Sequence, residues 1–294
     1  MSWLSSLLTK TLSSAPKSIP LPVSRNKGVI TPGLKKSVTQ AFKDYQKNGV
    51  AIIPKVFTKQ EADNIRAATF MTLTTLHMST DYTARHRELE TRTRPDQEYP
   101  LLLFWPSLRN QYLNDIREDR RYQYILKKFL GDDIKQLNNQ VYFRMPGDGD
   151  SFHWHQDVVF RTPAEDYPGI EDSYLQTIVV VDEITPDNGA VEYVHGSHKL
   201  GNLQLTDPQF KNLREFDTKV VKKLFPKDTP KKALAQPGDV LVWSVMSVHG
   251  SRPNNSPHMR MTYMNGFAKA TAAKNWPMYL ENGKLQPLDP SKII

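Results

Sequence analysis

At Gly131 the period of the sequence changes, and that change limits what the chain can fold into more than any other feature. Before it, Leu113, Ile116, Tyr122, Ile125, Leu126 and Phe129 recur at threes and fours, which predicts one amphipathic helix over 110–130, closed by Gly131. After it, short β-branched or alternating runs are separated by Pro and Gly turns. Residues 140–144 read as a strand, turned by Pro146-Gly147-Asp148-Gly149. Residues 175–181 read as a β-branched strand covered on both faces, and Thr185-Pro186-Asp187-Asn188-Gly189 as a tight turn. Runs at 190–194, 240–243 and 260–267 continue the series. Helices first and then many short strands predict a mainly β (α+β) chain, a sandwich or barrel with helical flanks.

The helical part also predicts a helix over 37–48, a short strand at Val50-Ala51-Ile52-Ile53 stopped by Pro54, and a helix to about Leu76. The last is opened by Thr58 as N-cap, with Glu61 three residues on. Residues 79–100 show no period and read as an irregular excursion. Residues 200–235 are polar and lysine-rich and read as a mobile cover, with a short helix near 207–216. The expected organisation is a tail over 1–36 and one domain over 37–294, helical over 37–135 with a β core over about 138–270.

Composition removes several function classes. With no cysteine, the chain has no disulfide, thiolate ligand or thiol nucleophile, so any metal is held by nitrogen and oxygen. No apolar run reaches the roughly 20 residues of a membrane span. The net charge of +8 is mostly local: residues 1–43 hold seven bases and no acid, which leaves 32 bases against 31 acids elsewhere. The body is therefore not a basic polyanion binder, and nucleic acid is not an expected partner. The serine-rich, basic opening has Trp3, Leu4, Leu7 and Leu8 at helical spacing. It fits either an organelle transit segment, which would direct the chain to mitochondria or plastids, or a plain tail on a cytoplasmic protein.

Chemistry concentrates in Ser151-Phe152-His153-Trp154-His155-Gln156-Asp157. In an extended strand His155 and Asp157 share a face. A third ligand from a distant strand would complete a two-histidine, one-carboxylate facial site. His249 ends an apolar run downstream, and Arg260 follows in the next strand.

From Gln140 onward the chain resembles the phytanoyl-CoA dioxygenase family of iron(II)- and 2-oxoglutarate-dependent oxygenases. The matching pieces are Trp154-His155-Gln156-Asp157, Pro186-Asp187-Asn188-Gly189, Gly196-Ser197-His198, Pro237-Gly238-Asp239-Val240 and His249-Gly250-Ser251, with Arg260 eleven residues past the histidine. The stretch from Tyr45 to Pro54 looks like the family's opening, so the likeness spans most of 38–268. It implies a double-stranded β-helix, a cupin-like jelly roll, flanked by N-terminal helices. It implies Fe(2+) on His155, Asp157 and His249, with 2-oxoglutarate as cosubstrate held by Arg260, supported by Ser251 and Gln140. Dioxygen would be the oxidant and ascorbate a support in vitro. Tyr142, His153 and Ile178 would wall the substrate pocket. The implied reaction oxidises a small metabolite, carboxylated or not, by hydroxylation, desaturation or cyclisation, and releases succinate and CO2.

Two positions depart from the family pattern: Ile178 where relatives often carry a large aromatic, and His195 where proline is usual. Asp157 is present, so the halogenase variant, which lacks that carboxylate, does not apply. Competing readings of the residues remain. His153 shares the face of His155 and could be taken for a ligand. His195 and His198 flank a glycine turn and read as structural, while His77, His86 and His258 read as solvated surface. A non-catalytic jelly-roll binding protein and a zinc hydrolase on the same scaffold are the alternative functions.

Overall fold

The computed structural model describes residues 28–78, 88–94, 97–147, 149, 151–206, 215–226 and 230–293. The tail and targeting readings of the first 27 residues lie outside them. No helix among the described residues is long and apolar enough to cross a membrane.

Helix α1 (Pro32–Asn48) starts earlier than its periodicity suggests, because Thr31 accepts a hydrogen bond from Leu34 N at 3.1 Å and Pro32 occupies the first turn. Strand β1 (Val50–Ile53) follows, then α2 (Lys59–Met78). The Thr58 capping box forms: its hydroxyl accepts from Glu61 N at 3.1 Å, and the Glu61 carboxylate accepts from Thr58 N at 2.7 Å. The expected irregular excursion is partly a hairpin, β2 (Leu89–Arg94) and β3 (Gln97–Phe104). The single helix expected over 110–130 is two, α3 (Gln111–Arg117) and α4 (Arg120–Leu130). Asp119 breaks it by capping α4 through Arg121 N at 2.8 Å.

Then come β4 (Ile134–Arg144), β5 (Phe152–His155), β6 (Tyr174–Val180), β7 (Val191–Tyr193), two short helices α5 (Leu203–Thr206) and α6 (Thr218–Leu224), β8 (Lys231–Lys232), β9 (Val240–Ser244), β10 (His249–Ser251) and β11 (Arg260–Lys269). Two short strands not anticipated from the sequence, β12 (Met278–Glu281) and β13 (Lys284–Leu285), extend the edge beyond β4. The larger sheet has the order β1-β9-β6-β11-β4-β12-β13, with β3 and β2 branching from β4; the smaller has the order β5-β10-β7-β8. Together they form the jelly roll. The strands of the larger sheet pair antiparallel, so side chains alternate between its faces.

One face of the larger sheet (Val141, Phe143, Val179, Val242, Met261, Tyr263 and Phe267) packs on Leu34, Ile65, Leu113, Tyr122 and Ile125 of the helices. Burying apolar area this way contributes roughly 25 cal/mol per Å². The opposite face looks across to the smaller sheet and encloses a cavity. The segment expected as a mobile cover is described only in part. Its Phe216, Val221 and Phe225 pack on Trp154, Val194 and Val248, and Phe216 N donates to Trp154 O at 2.9 Å. These parts anchor on the smaller sheet, and among them only Glu215 lines the cavity.

Candidate active site

Alternation along the larger sheet decides what faces inward: Asn138, Gln140, Tyr142 and Arg144 from β4, Gln176 and Ile178 from β6, Trp243 from β9, and Arg260, Thr262 and Met264 from β11. The smaller sheet contributes Phe152, His155, Val191, His249 and Ser251. The cavity volume is about 650 Å³.

His249 pairs directly with His155 across β10 and β5. Gly250 permits that approach, since a Cβ there would lie 2.8 Å from Phe152 O. Asp157 is not on the strand as expected; β5 ends at His155 and Asp157 opens a 3-10 turn over Asp157–Phe160. The extended backbone of Gln156 still returns its carboxylate to the histidine side. Asp157 Oδ1 lies 3.4 Å from His155 Nε2 and 3.7 Å from His249 Nε2. One donor atom from each of the three residues falls within 4.8 Å of the others.

The imidazoles are oriented by the backbone. His155 Nδ1 faces His153 O at 2.7 Å and His249 Nδ1 faces Ser247 O at 2.9 Å. A carbonyl only accepts, so both Nδ1 atoms carry the hydrogen and both Nε2 lone pairs point at the common centre. The other carboxylate oxygen, Asp157 Oδ2, accepts from Trp243 Nε1 at 2.9 Å. Electrostatics agree. Burial pushes the Asp157 carboxyl up, but His249 and His155 outweigh it and hold the group well below the usual carboxylate range. Burial and the neighbouring His155 lower His249 to about 4, so it is neutral near pH 7. Burial opposes the charge of His155, yet Asp157 raises it above its ordinary value.

Trp243 was not among the residues picked out from the sequence; its role is visible only across the sheet. Trp243→Phe keeps a large ring against Ile178 and Leu241 but deletes the bond to Asp157. The expected result is a roughly 10- to 100-fold loss of metal affinity in a folded protein, read by calorimetric titration. Unchanged affinity would remove the indole from this role.

Of the other residues singled out, Gln140, Tyr142, Ile178, Ser251 and Arg260 line the cavity. His153 does not. It is exposed, and it contributes its carbonyl rather than its ring. The β5–β10 register shifts between the Phe152–Ser251 and His155–His249 pairs, so Phe152 and His155 both face the cavity and simple alternation fails for His153. His198 packs near Tyr45, and His195 stacks on Tyr193 with ring centres 5.1 Å apart, as structural histidines do. Arg144 and Arg161 also line the cavity and carried no signal in the sequence. Arg144 lies directly opposite Arg260 in the β4–β11 ladder.

A family profile described as phytanoyl-CoA dioxygenase (PhyH) matches residues 45–262. A probable alpha-ketoglutarate-dependent hypophosphite dioxygenase of Stutzerimonas stutzeri is 31% identical over 158 residues, 52% of this chain and 51% of that protein. The chain thus spans about half the length of this curated relative. Among solved structures, apo EctD from S. alaskensis superposes with a TM-score of 0.67 at 17% identity, over 88% of this chain and 85% of that one. The epimerase SnoN, in complex with Fe3+, alpha ketoglutarate and nogalamycin RO, gives 0.61 at 14% identity, over 85% and 88%. At such identities the likeness is one of fold.

Proposed function

The chain belongs to the phytanoyl-CoA dioxygenase family, and from that premise we propose that it is an iron(II)- and 2-oxoglutarate-dependent oxygenase acting on a small molecule. The observation that carries this reading is the inward-facing donor set, two Nε2 atoms and Asp157 Oδ1, in a cavity that Arg260 also lines. Two imidazole nitrogens and one carboxylate suit iron(II), and three protein donors leave positions open for other ligands. Zinc would accept the same donors. The arginine on the wall has no part in a zinc hydrolase but matches the far carboxylate of 2-oxoglutarate.

When bound, iron, 2-oxoglutarate and dioxygen supply the oxidant for an unreactive C–H bond and yield succinate and CO2. The chain's own residues hold and shield. His155, Asp157 and His249 take the metal, with Trp243 fixing the carboxylate. Arg260 takes the distal carboxylate, with Ser251 and Gln140 beside it. Ile178, Met264 and Phe152 keep that part of the cavity apolar. Hypophosphite, in the name of the Stutzerimonas relative, is a very small anion. A cavity of about 650 Å³ has room for an organic substrate larger than that beside 2-oxoglutarate.

Purified protein supplied with iron(II), ascorbate and 2-oxoglutarate is expected to release succinate slowly, and faster once the substrate is present. No succinate above an iron-free control, from protein shown to hold iron, would sink the reading in favour of a binding protein.

A further inference from the structure

The cavity has two ends, and the proposed cosubstrate occupies one. Along β4 the inward residues run from Asn138 to Arg144. At about 3.3 Å per residue these stand roughly 20 Å apart. Arg260 sits at the Arg144 end. At the other end Asn138 bonds Gln176, and Arg161 lines the same end through their shared partner, the Tyr174 hydroxyl.

The surroundings of Arg161 are built for a charged guanidinium. Its Nη2 donates to the Tyr174 hydroxyl at 2.7 Å, and its guanidinium carbon lies 4.7 Å from the centre of that ring. The same hydroxyl accepts from Asn138 Nδ2 at 3.3 Å and donates to Gln176 Oε1. Gly266, in register with Asn138 and Gln176, makes the space: a Cβ would fall 2.0 Å from Tyr174 Oη and 2.9 Å from Asn138 Oδ1. Burial raises the phenol to about 12, so Tyr174 positions the guanidinium without neutralising it.

Among the described residues the guanidinium has no acid of its own. The Arg161 Nε is buried without a hydrogen-bond partner. The carboxylate acting on it electrostatically is Asp157, already engaged by both histidines and Trp243. Of the other lining acids, Glu215 is exposed and Glu90 has 43% of its side chain in solvent. A cation with spare donors in a low-dielectric cavity is costly until an anion completes it. Two tryptophans stand near this end. Trp105, at a left-handed φ of 47°, donates its N–H to Asn139 O at 2.6 Å and stacks on Trp276 with ring centres 6.5 Å apart.

We infer that the Arg161 end of the cavity recognises the substrate and selects an organic acid. Its carboxylate, or a comparable oxyanion, pairs with Arg161 beside the amides of Asn138 and Gln176, and its apolar or flat body lies against Trp105 and Trp276. This assignment rests on the oxygenase reading above, because it makes the acid the molecule to be oxidised.

The test uses the full chain loaded with nickel(II) and 2-oxoglutarate, which does not turn over. The probes are phenylacetate, indole-3-acetate and hexanoate, each against its neutral amide. Calorimetry is expected to show each acid binding at least about 10-fold tighter than its amide. Arg161→Gln should erase the preference by weakening the acids on the order of 30-fold, with nickel content, 2-oxoglutarate affinity and unfolding temperature retained. Arg161→Lys should keep part of it, since the ammonium carries the charge without the fork, and it serves if the glutamine variant does not fold. Equal affinity for acid and amide, or no binding of any acid to the loaded wild type, overturns the proposal. So does loss of 2-oxoglutarate affinity in Arg161→Gln, which would hand the arginine to the cosubstrate. A wild type that binds neither nickel nor 2-oxoglutarate would instead sink the oxygenase reading.

Discussion

Replacing Asp157 by alanine is expected to weaken iron binding severely and to abolish turnover while the jelly roll still forms. The carboxylate is the one anionic donor among the three and the point where both Nε2 atoms converge. Its loss should therefore exceed the roughly 100-fold that a missing outer partner costs a metal site. The variant also changes how protons compete with metal. In the metal-free protein burial lowers His155, but Asp157 more than offsets it and raises the imidazole above its ordinary value. A proton thus occupies the ligand atom at low pH, and metal affinity rises as pH rises through that value and then levels. Without Asp157 burial is opposed only by the His153 carbonyl and Glu215, so the competition moves to lower pH. His249, at about 4, adds nothing near neutrality. Metal titrations of both proteins between about pH 6 and 8 would show this as a weaker, flatter profile in the variant. Wild-type affinity in Asp157→Ala would mean that the three side chains are not the metal site.

The proposed metal donors could be named from the sequence through the family resemblance, and the His155–Asp157 spacing behind it survives errors in local geometry. The argument from strand alternation was wrong in detail, since Asp157 opens a 3-10 turn, yet the pair still converges. The same alternation misplaced His153, which faces solvent. The apolar, β-branched run served well where both faces are dry, as in β6, buried along its whole length. Period failed for β2, where Arg92 and Thr93 are exposed and no apolar pattern marks the strand. It also ran through the break at Glu118, because α3 and α4 both bury residues at helical spacing and only the Asp119 cap separates them. Trp243, Arg144 and Arg161 were not legible at all. Each acts across the sheet or the cavity on a partner 13 to 108 residues away, as in Arg161 with Tyr174, Trp243 with Asp157 and Arg144 with Arg252. A glutamine inside the β-branched run at Gln176 was the one available hint, since buried polar groups in such strands need a reason.

Arg260 separates the oxygenase from the other uses of this fold, so its removal is the second decisive experiment. If its guanidinium clamps the distal carboxylate, Arg260→Ala deletes a charge-assisted, two-point contact at a position only 5% exposed. Truncating one partner of such a pair costs roughly 2–5 kcal/mol, on the order of 30-fold to a few thousand-fold in 2-oxoglutarate binding. Arg144 stands opposite in the ladder but is not a ready replacement. Its Nη2 donates to Arg252 O at 2.7 Å, and its guanidinium lies 5.4 Å from the centre of the Phe152 ring. Iron content should survive, because His155, Asp157 and His249 are untouched. Arg260→Lys should recover only part of the loss, lacking the planar fork. The measurement is 2-oxoglutarate affinity alongside iron content in each folded variant. An unchanged affinity in iron-loaded Arg260→Ala would move the clamp elsewhere on the wall, with Arg144 as the first residue to test.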